Sequence, residues 1–258
     1  MFVDLLLEPL RYGFLLRGLA AAVLIGVICA VIGTYVVLKG FAFIGDALAH
    51  IAFTGIVVAF LAGFVFYLGA LVAAVAAGLG IGLIQRRVGL STDTAIGILF
   101  SGIFALGIVL MSLGIKTYTV DLFSYVFGDI LSVRPLDLLV ILGLGGLVLL
   151  LIGLLYKELL FVSFDPVVAE ATGLPGGRLQ LLLLTLLSIT VVASVQAVGV
   201  VLVVAMLVTP SATAYLLTDR FHRMMLLGAG FGALSAVIGF YLSYYLNVPS
   251  GGTIVLVA

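Results

Sequence analysis

Apolar residues run along this chain in continuous stretches, broken by short clusters of charged and polar positions rather than alternating with them. Many stretches are about 20 residues long, the length a helix needs to cross a hydrocarbon core. A transmembrane β-barrel would instead show alternating segments of about 10 residues. The polar clusters delimit eight spans: Tyr12–Leu38, Phe41–Phe66, Leu68–Ile84, Thr94–Leu113, Leu136–Tyr156, Leu179–Ser194, Val198–Leu217 and Met224–Leu246. Tyr67, with glycines on either side, marks the turn between the second and third, and the sixth is short. The predicted fold class is all-α, a polytopic transmembrane helical bundle forming a single domain over residues 1–258.

Composition agrees with this reading. The chain is 65% hydrophobic and 9% charged, against about 25% charged in soluble domains, and its mean hydropathy is +1.47. A net charge of zero leaves no basic footprint for nucleic acid. The single cysteine, Cys29, lies inside an apolar run and reads as a buried core residue. Asp4 and Glu8 precede Arg11, and no small-residue cleavage site follows the first apolar run, so a removable signal peptide is not expected.

Positive charge sets the expected orientation. With the N-terminus outside, the inner loops hold Lys39, Arg86, Arg87, the Lys157–Arg178 segment, Arg220, His222 and Arg223. The outer side keeps Arg11, Lys116 and Arg134, diluted by Asp4, Glu8, Asp121 and Asp129. Arg17, in the outer end of the first span, is expected to snorkel to the headgroups.

The candidate chemistry begins at Asp46 and His50, within the run from Lys39 to Gly55 at the start of an apolar span. Four residues apart on a helix, they share one face, a turn from each other. A charged group there is expensive, about 2.5–3.5 kcal/mol for an aspartate near mid-bilayer. Carboxylate and imidazole are ligands for a divalent ion of intermediate softness, Mn²⁺ or Zn²⁺, with Fe²⁺ also compatible. A structural alternative stands beside this: Asp46 favoured by the helix N-terminus, with His50 bonded to it. Two residues supply too few ligand atoms, and a second copy across a two-fold axis would supply the rest.

The segment Lys157–Arg178 contains a short surface helix over about Pro166–Thr172, too short to cross. Asp165 suits its N-cap and Pro166 its first position, while Gly173 and Pro175 are stop signals. Val167, Val168 and Ala171 give it an apolar side, suited to a partner's groove or to the membrane surface, with Glu170 as an acidic contact. The outer loop Gly114–Arg134 carries Tyr118, Phe123, Tyr125 and Phe127, an interfacial belt or an outer docking surface. Thr209-Pro210 is expected to kink the seventh span and free a carbonyl that Ser211 or Thr213 can satisfy. Gln196 reads as a loop polar group at an outer turn. Paired glycines such as Gly228 and Gly232 read as close helix packing.

No phosphate-binding loop is present, and the fragment Gly114-Ile-Lys-Thr117 lacks the glycine before lysine. Any ATP must be hydrolysed by another chain. His-Glu-x-x-His is absent too, which disfavours a metalloprotease; the chain is read as a transport subunit and not as an enzyme.

Taken together, these residues resemble the membrane subunits of ATP-binding-cassette importers for zinc and manganese. Gly45-Asp-Ala-Leu-Ala-His50 carries the resemblance, followed in order by Thr92-Asp-Thr-Ala-Ile-Gly97, Phe127-Gly128, Asp165-Pro166 with Ala169 and Gly173, Val198-Gly199 leading to Thr209-Pro-Ser-Ala-Thr-Ala214, and Pro249-Ser-Gly-Gly252. The resemblance covers essentially the whole chain. It implies a homodimeric permease in a prokaryotic cytoplasmic (inner) membrane, joined to two cytoplasmic ATPase subunits and served by an extracytoplasmic metal-binding protein. It implies that Asp46 and His50 hold the metal transiently, with no permanently bound cofactor. It also implies that residues 165–173 (Asp165, Pro166, Val167, Val168, Ala169, Glu170 and Gly173 among them) form the coupling helix that seats in the ATPase.

Two departures stand out. Family members often carry proline where Thr54 precedes Gly55, so less bending is expected there. They also usually continue past the equivalent of Ala258, so a ninth span is expected to be missing at the C-terminus. Two other readings compete: an ion-coupled secondary transporter with Asp46 as its protonation site, and a structural subunit without a path. The secondary transporter would show paired repeats, which the sequence lacks.

Overall fold

A computed structural model of the protein describes residues 11–41, 43–114 and 130–258. Among the described residues there is no strand. The helices are α1 (Gly13–Leu38), α2 (Ile44–Ala62), α3 (Phe66–Val88), α4 (Thr92–Gly114), α5 (Pro135–Leu154), α6 (Tyr156–Phe164), α7 (Pro166–Ala171), α8 (Gly176–Val198), α9 (Val200–Leu217), α10 (Phe221–Leu246) and α11 (Ser250–Val257), with a 3-10 turn at Ile130–Ser132 before α5. Eight of them are long and apolar enough to cross a membrane, the expected number. The N-terminal acids, Lys116, Asp121, Asp129, the outer-loop aromatics and the Phe127-Gly128 motif lie outside the described residues.

Several bounds differ from expectation. The second span begins at Ile44 rather than Phe41, so Asp46 sits in the first turn of its helix. It ends before residues 63–65, and Tyr67 belongs to α3 instead of marking the turn. The reason is Gly63, whose φ of +73° is open to glycine at little cost. The Phe64 amide then donates to the Ala59 carbonyl at 2.9 Å and closes the helix end. The sixth span is not short: α8 takes in Arg178 and Gln180 and runs to Val198. Gln196 is therefore helical, and its Nε2 has no hydrogen-bond partner among the described residues. Sequence reading also passed over α6 and α11; the apolar residues after Gly252 form a short helix.

The chain divides into two compact units. One comprises Met1–Thr34, Phe123–Leu147 and Ala193–Ala258. Within it α1 packs backbone to backbone on two helices. A Cβ at Gly26 would overlap the Gly232 carbonyl at 2.7 Å, and a Cβ at Gly33 would overlap the Leu207 carbonyl. Ser211 Oγ donates to the Ala30 carbonyl at 2.9 Å, and Thr213 Oγ1 donates to Thr209. Neither hydroxyl serves the Met206 carbonyl that Pro210 leaves free, so the expected repair of the kink is not made this way.

The second unit comprises Tyr35–Leu122 and Val148–Val192 and holds every candidate site residue. Here α2 and α3 form a tight hairpin, with Gly55 and Gly69 each seated on the other's carbonyl. Such contacts are the general means of joining helices in lipid, where apolar surface alone gives no driving force. Across the hairpin, Thr54 Oγ1 donates to the Ile103 carbonyl of α4 at 3.0 Å. Ser188 Oγ of α8 donates to the Ala74 carbonyl of α3 at 3.0 Å.

Candidate metal site and surface helix

Asp46 and His50 stand on one face of α2, as the four-residue spacing requires. Asp46 is in the first turn, where exposed amide groups favour a negative charge. His50 Nδ1 lies 2.9 Å from the backbone carbonyl of Asp46 and 3.4 Å from its Oδ1. A carbonyl oxygen only accepts, so Nδ1 carries a proton, and in the neutral ring the lone pair is the one on Nε2. The hydrogen bond foreseen as the structural alternative is thus present, but to the main chain. It leaves one imidazole nitrogen and the carboxylate available as ligands.

Two rings from α4 fix the imidazole. Phe100 and Phe104 stack on each other at 5.8 Å, and His50 meets them edge-on at 5.4 and 5.1 Å. Asp46 opens into a cavity of about 250 Å³ lined also by Phe43, Asp93, Ile96 and Phe100. His50 is not among the lining residues. Phe100, Phe104 and Asp93 were missed by sequence reasoning. Asp93 lay within the quoted Thr92–Gly97 motif, and the two phenylalanines are spaced one turn apart on α4.

Among the described residues, no group of three or more His, Cys, Asp and Glu side chains could hold a metal. Asp46 and His50 fit a transferable ion better than a resident one, because they offer at most a bidentate carboxylate and one nitrogen. A cation would have to fill its shell with water or with groups from elsewhere.

The surface helix forms much as its sequence requires. Asp165 is the N-cap of α7, and its Oδ1 accepts from the amides of Val167 at 3.1 Å and Val168 at 2.9 Å. Pro166 follows at the first position. Ala169 is buried, while Val167 is 76% and Val168 45% exposed. Glu170 points toward Arg86 of α3, and Gly173 turns the chain with φ +88°. The helix ends at Ala171, a residue earlier than expected.

The fold and these residues define a multi-pass helical membrane protein with a short amphipathic helix between two spans. The ABC 3 transport family matches residues 11–258, and the chain belongs to that family. It is 48% identical over 251 residues to the manganese transport system membrane protein MntC of Halalkalibacterium halodurans, covering 97% of this chain and 86% of that protein. It is 45% identical over 255 residues to MntC of Listeria innocua, covering 98% and 90%. Among solved structures, PsaBC from Streptococcus pneumoniae in complex with Fab superposes with a TM-score of 0.86 at 36% identity, covering all of this chain and 92% of that one. The resemblance to permeases of ATP-binding-cassette metal importers therefore holds, and the chain is a multi-pass prokaryotic membrane transport subunit.

Proposed function

We propose that this chain is the permease subunit of an ATP-driven manganese importer. The observation that carries the proposal is the presence of a carboxylate and an imidazole on one face of a membrane-spanning helix, the carboxylate opening into a cavity. The manganese-transport names of relatives at 45–48% identity favour Mn²⁺ over Zn²⁺ or Fe²⁺. Oxygen and nitrogen donors without thiolate agree with that choice, since thiolate would hold zinc more tightly.

In this reading two copies face each other, so that Asp46 and His50 of each offer the ion four protein groups in place of water. An extracytoplasmic binding protein delivers Mn²⁺. Two cytoplasmic ATPase subunits receive α7 in a groove, Val167 and Val168 providing the apolar contact and Asp165 holding the helix together. ATP binding and hydrolysis rock the dimer between outward- and inward-facing states. The N-terminus lies outside, and α7 faces the cytoplasm.

The test is purification of the complex from its native membrane, followed by elemental analysis. The proposal expects a copurifying ATPase and enrichment in manganese over zinc and iron. An isolated chain that takes up metal in vesicles on a proton gradient alone overturns it.

A further inference from the structure

The elbow between α7 and α8 is tied to the end of α3 by contacts the proposed mechanism has not used. Gln180 Nε2 of α8 donates to Gln85 Oε1 of α3 at 2.7 Å, partly buried. One residue on, the Arg86 guanidinium lies against Gly177, where any Cβ would overlap it. Arg86 Nη2 is 4.0 Å from Glu170 Oε1 of α7. Glu170 also packs on Gly176, where a Cβ would stand 3.0 Å from its Cγ. The ion pair is exposed and contributes little alone. The amide pair is short and partly buried, and the absence of a side chain at Gly177 leaves the guanidinium room to lie against the start of α8.

From this end α3 is held along its length. Ser188 Oγ reaches the Ala74 carbonyl, and Gly78 leaves the room that hydroxyl occupies. Further along, the Gly55–Gly69 contact joins α3 to α2, the helix that bears Asp46 and His50. The line from α7 through the elbow and α3 to α2 is packed at every step. Contiguous contacts of this kind are one physical route for coupling distant sites.

We propose that Gln85, Arg86 and Gln180 form the latch that carries movement of α7 to the hairpin holding Asp46 and His50. They are positioning residues, remote from the ion. The inference rests on the reading of α7 as the ATPase-docking helix.

The experiment uses the complete complex with its ATPase subunits and binding protein in proteoliposomes, recording ATP hydrolysed and Mn²⁺ transported in the same vesicles. Gln85→Leu, Gln180→Leu and Arg86→Ala are expected to keep the ATPase attached and to raise the ATP consumed per ion severalfold. The paired change Gln85→Glu with Gln180→Lys, which restores a tie, is expected to bring the ratio back. Hydrolysis and transport falling together at a constant ratio overturns the latch, since that is what a purely structural role gives. Val167→Asp separates the two proposals: ATPase attachment that survives it overturns the docking reading and the latch with it.

Discussion

In the proposed site the two nitrogens of His50 have different roles. Nδ1 lies on the Asp46 carbonyl, so the ring orientation follows from the helix itself, and the proposal gives Nε2 to the ion. Phe100 and Phe104 confine the ring from the side. Losing a group that orients a metal ligand typically costs about 10–100-fold in affinity. Phe104→Ala is therefore expected to raise the Mn²⁺ concentration for half-maximal uptake by about tenfold, with Phe104→Leu in between. An unchanged concentration dependence contradicts the role given to the rings. At Thr54, the hydroxyl bonds across to the Ile103 carbonyl. Thr54→Val removes that bond and is expected to cost about 1 kcal/mol, read as a lower unfolding midpoint in detergent. Asp46 and His50 were legible because a one-turn spacing needs only a helix to bring them together. The aromatic contacts were not, because only the packing of α4 against α2 creates them.

Among the elements, α7 was the most legible. Its cap, first-position proline and stopping glycine are all local signals, and each does in the structure what local chemistry requires. Asp165→Ala removes two amide acceptor contacts at once. It is expected to cost the helix about 1 kcal/mol and to weaken ATPase attachment, measured by the amount of ATPase retained on purification. The α2–α3 hairpin makes a sharper case. Gly55→Leu places a side chain where the Gly69 carbonyl lies, and overpacking of this kind costs about 1–3 kcal/mol, so lower yield and a lower unfolding midpoint are expected. Retained stability at Gly55→Leu contradicts the close crossing. What the pattern hid has a common origin. Lys157 and Glu158 in the first turn of α6, and Arg178 and Gln180 among the first five residues of α8, look like loop residues to a hydropathy reading. A helix that emerges from lipid keeps its hydrogen bonds while its side chains turn polar.

At the scale of the whole molecule, the proposed orientation rests on the charge pattern, and it can be tested directly. Cys29 is fully buried and gives little background to thiol reagents. With the proposed orientation, Val65→Cys in the α2–α3 connection is expected to react in intact cells, and Ser91→Cys in the α3–α4 connection only after the membrane is opened. The opposite pattern inverts the topology and moves α7 away from any cytoplasmic ATPase. The number of spans was readable from hydropathy alone. The assembly was not, because one chain presents two of the proposed ligands and the proposal asks a second copy for the rest. That demand is tested most directly by Mn²⁺ uptake into proteoliposomes containing the assembled complex with Asp46→Ala or His50→Ala. The account predicts intact assembly, continued ATP hydrolysis and uptake reduced by at least about tenfold in each variant. Normal uptake with both side chains removed would contradict it.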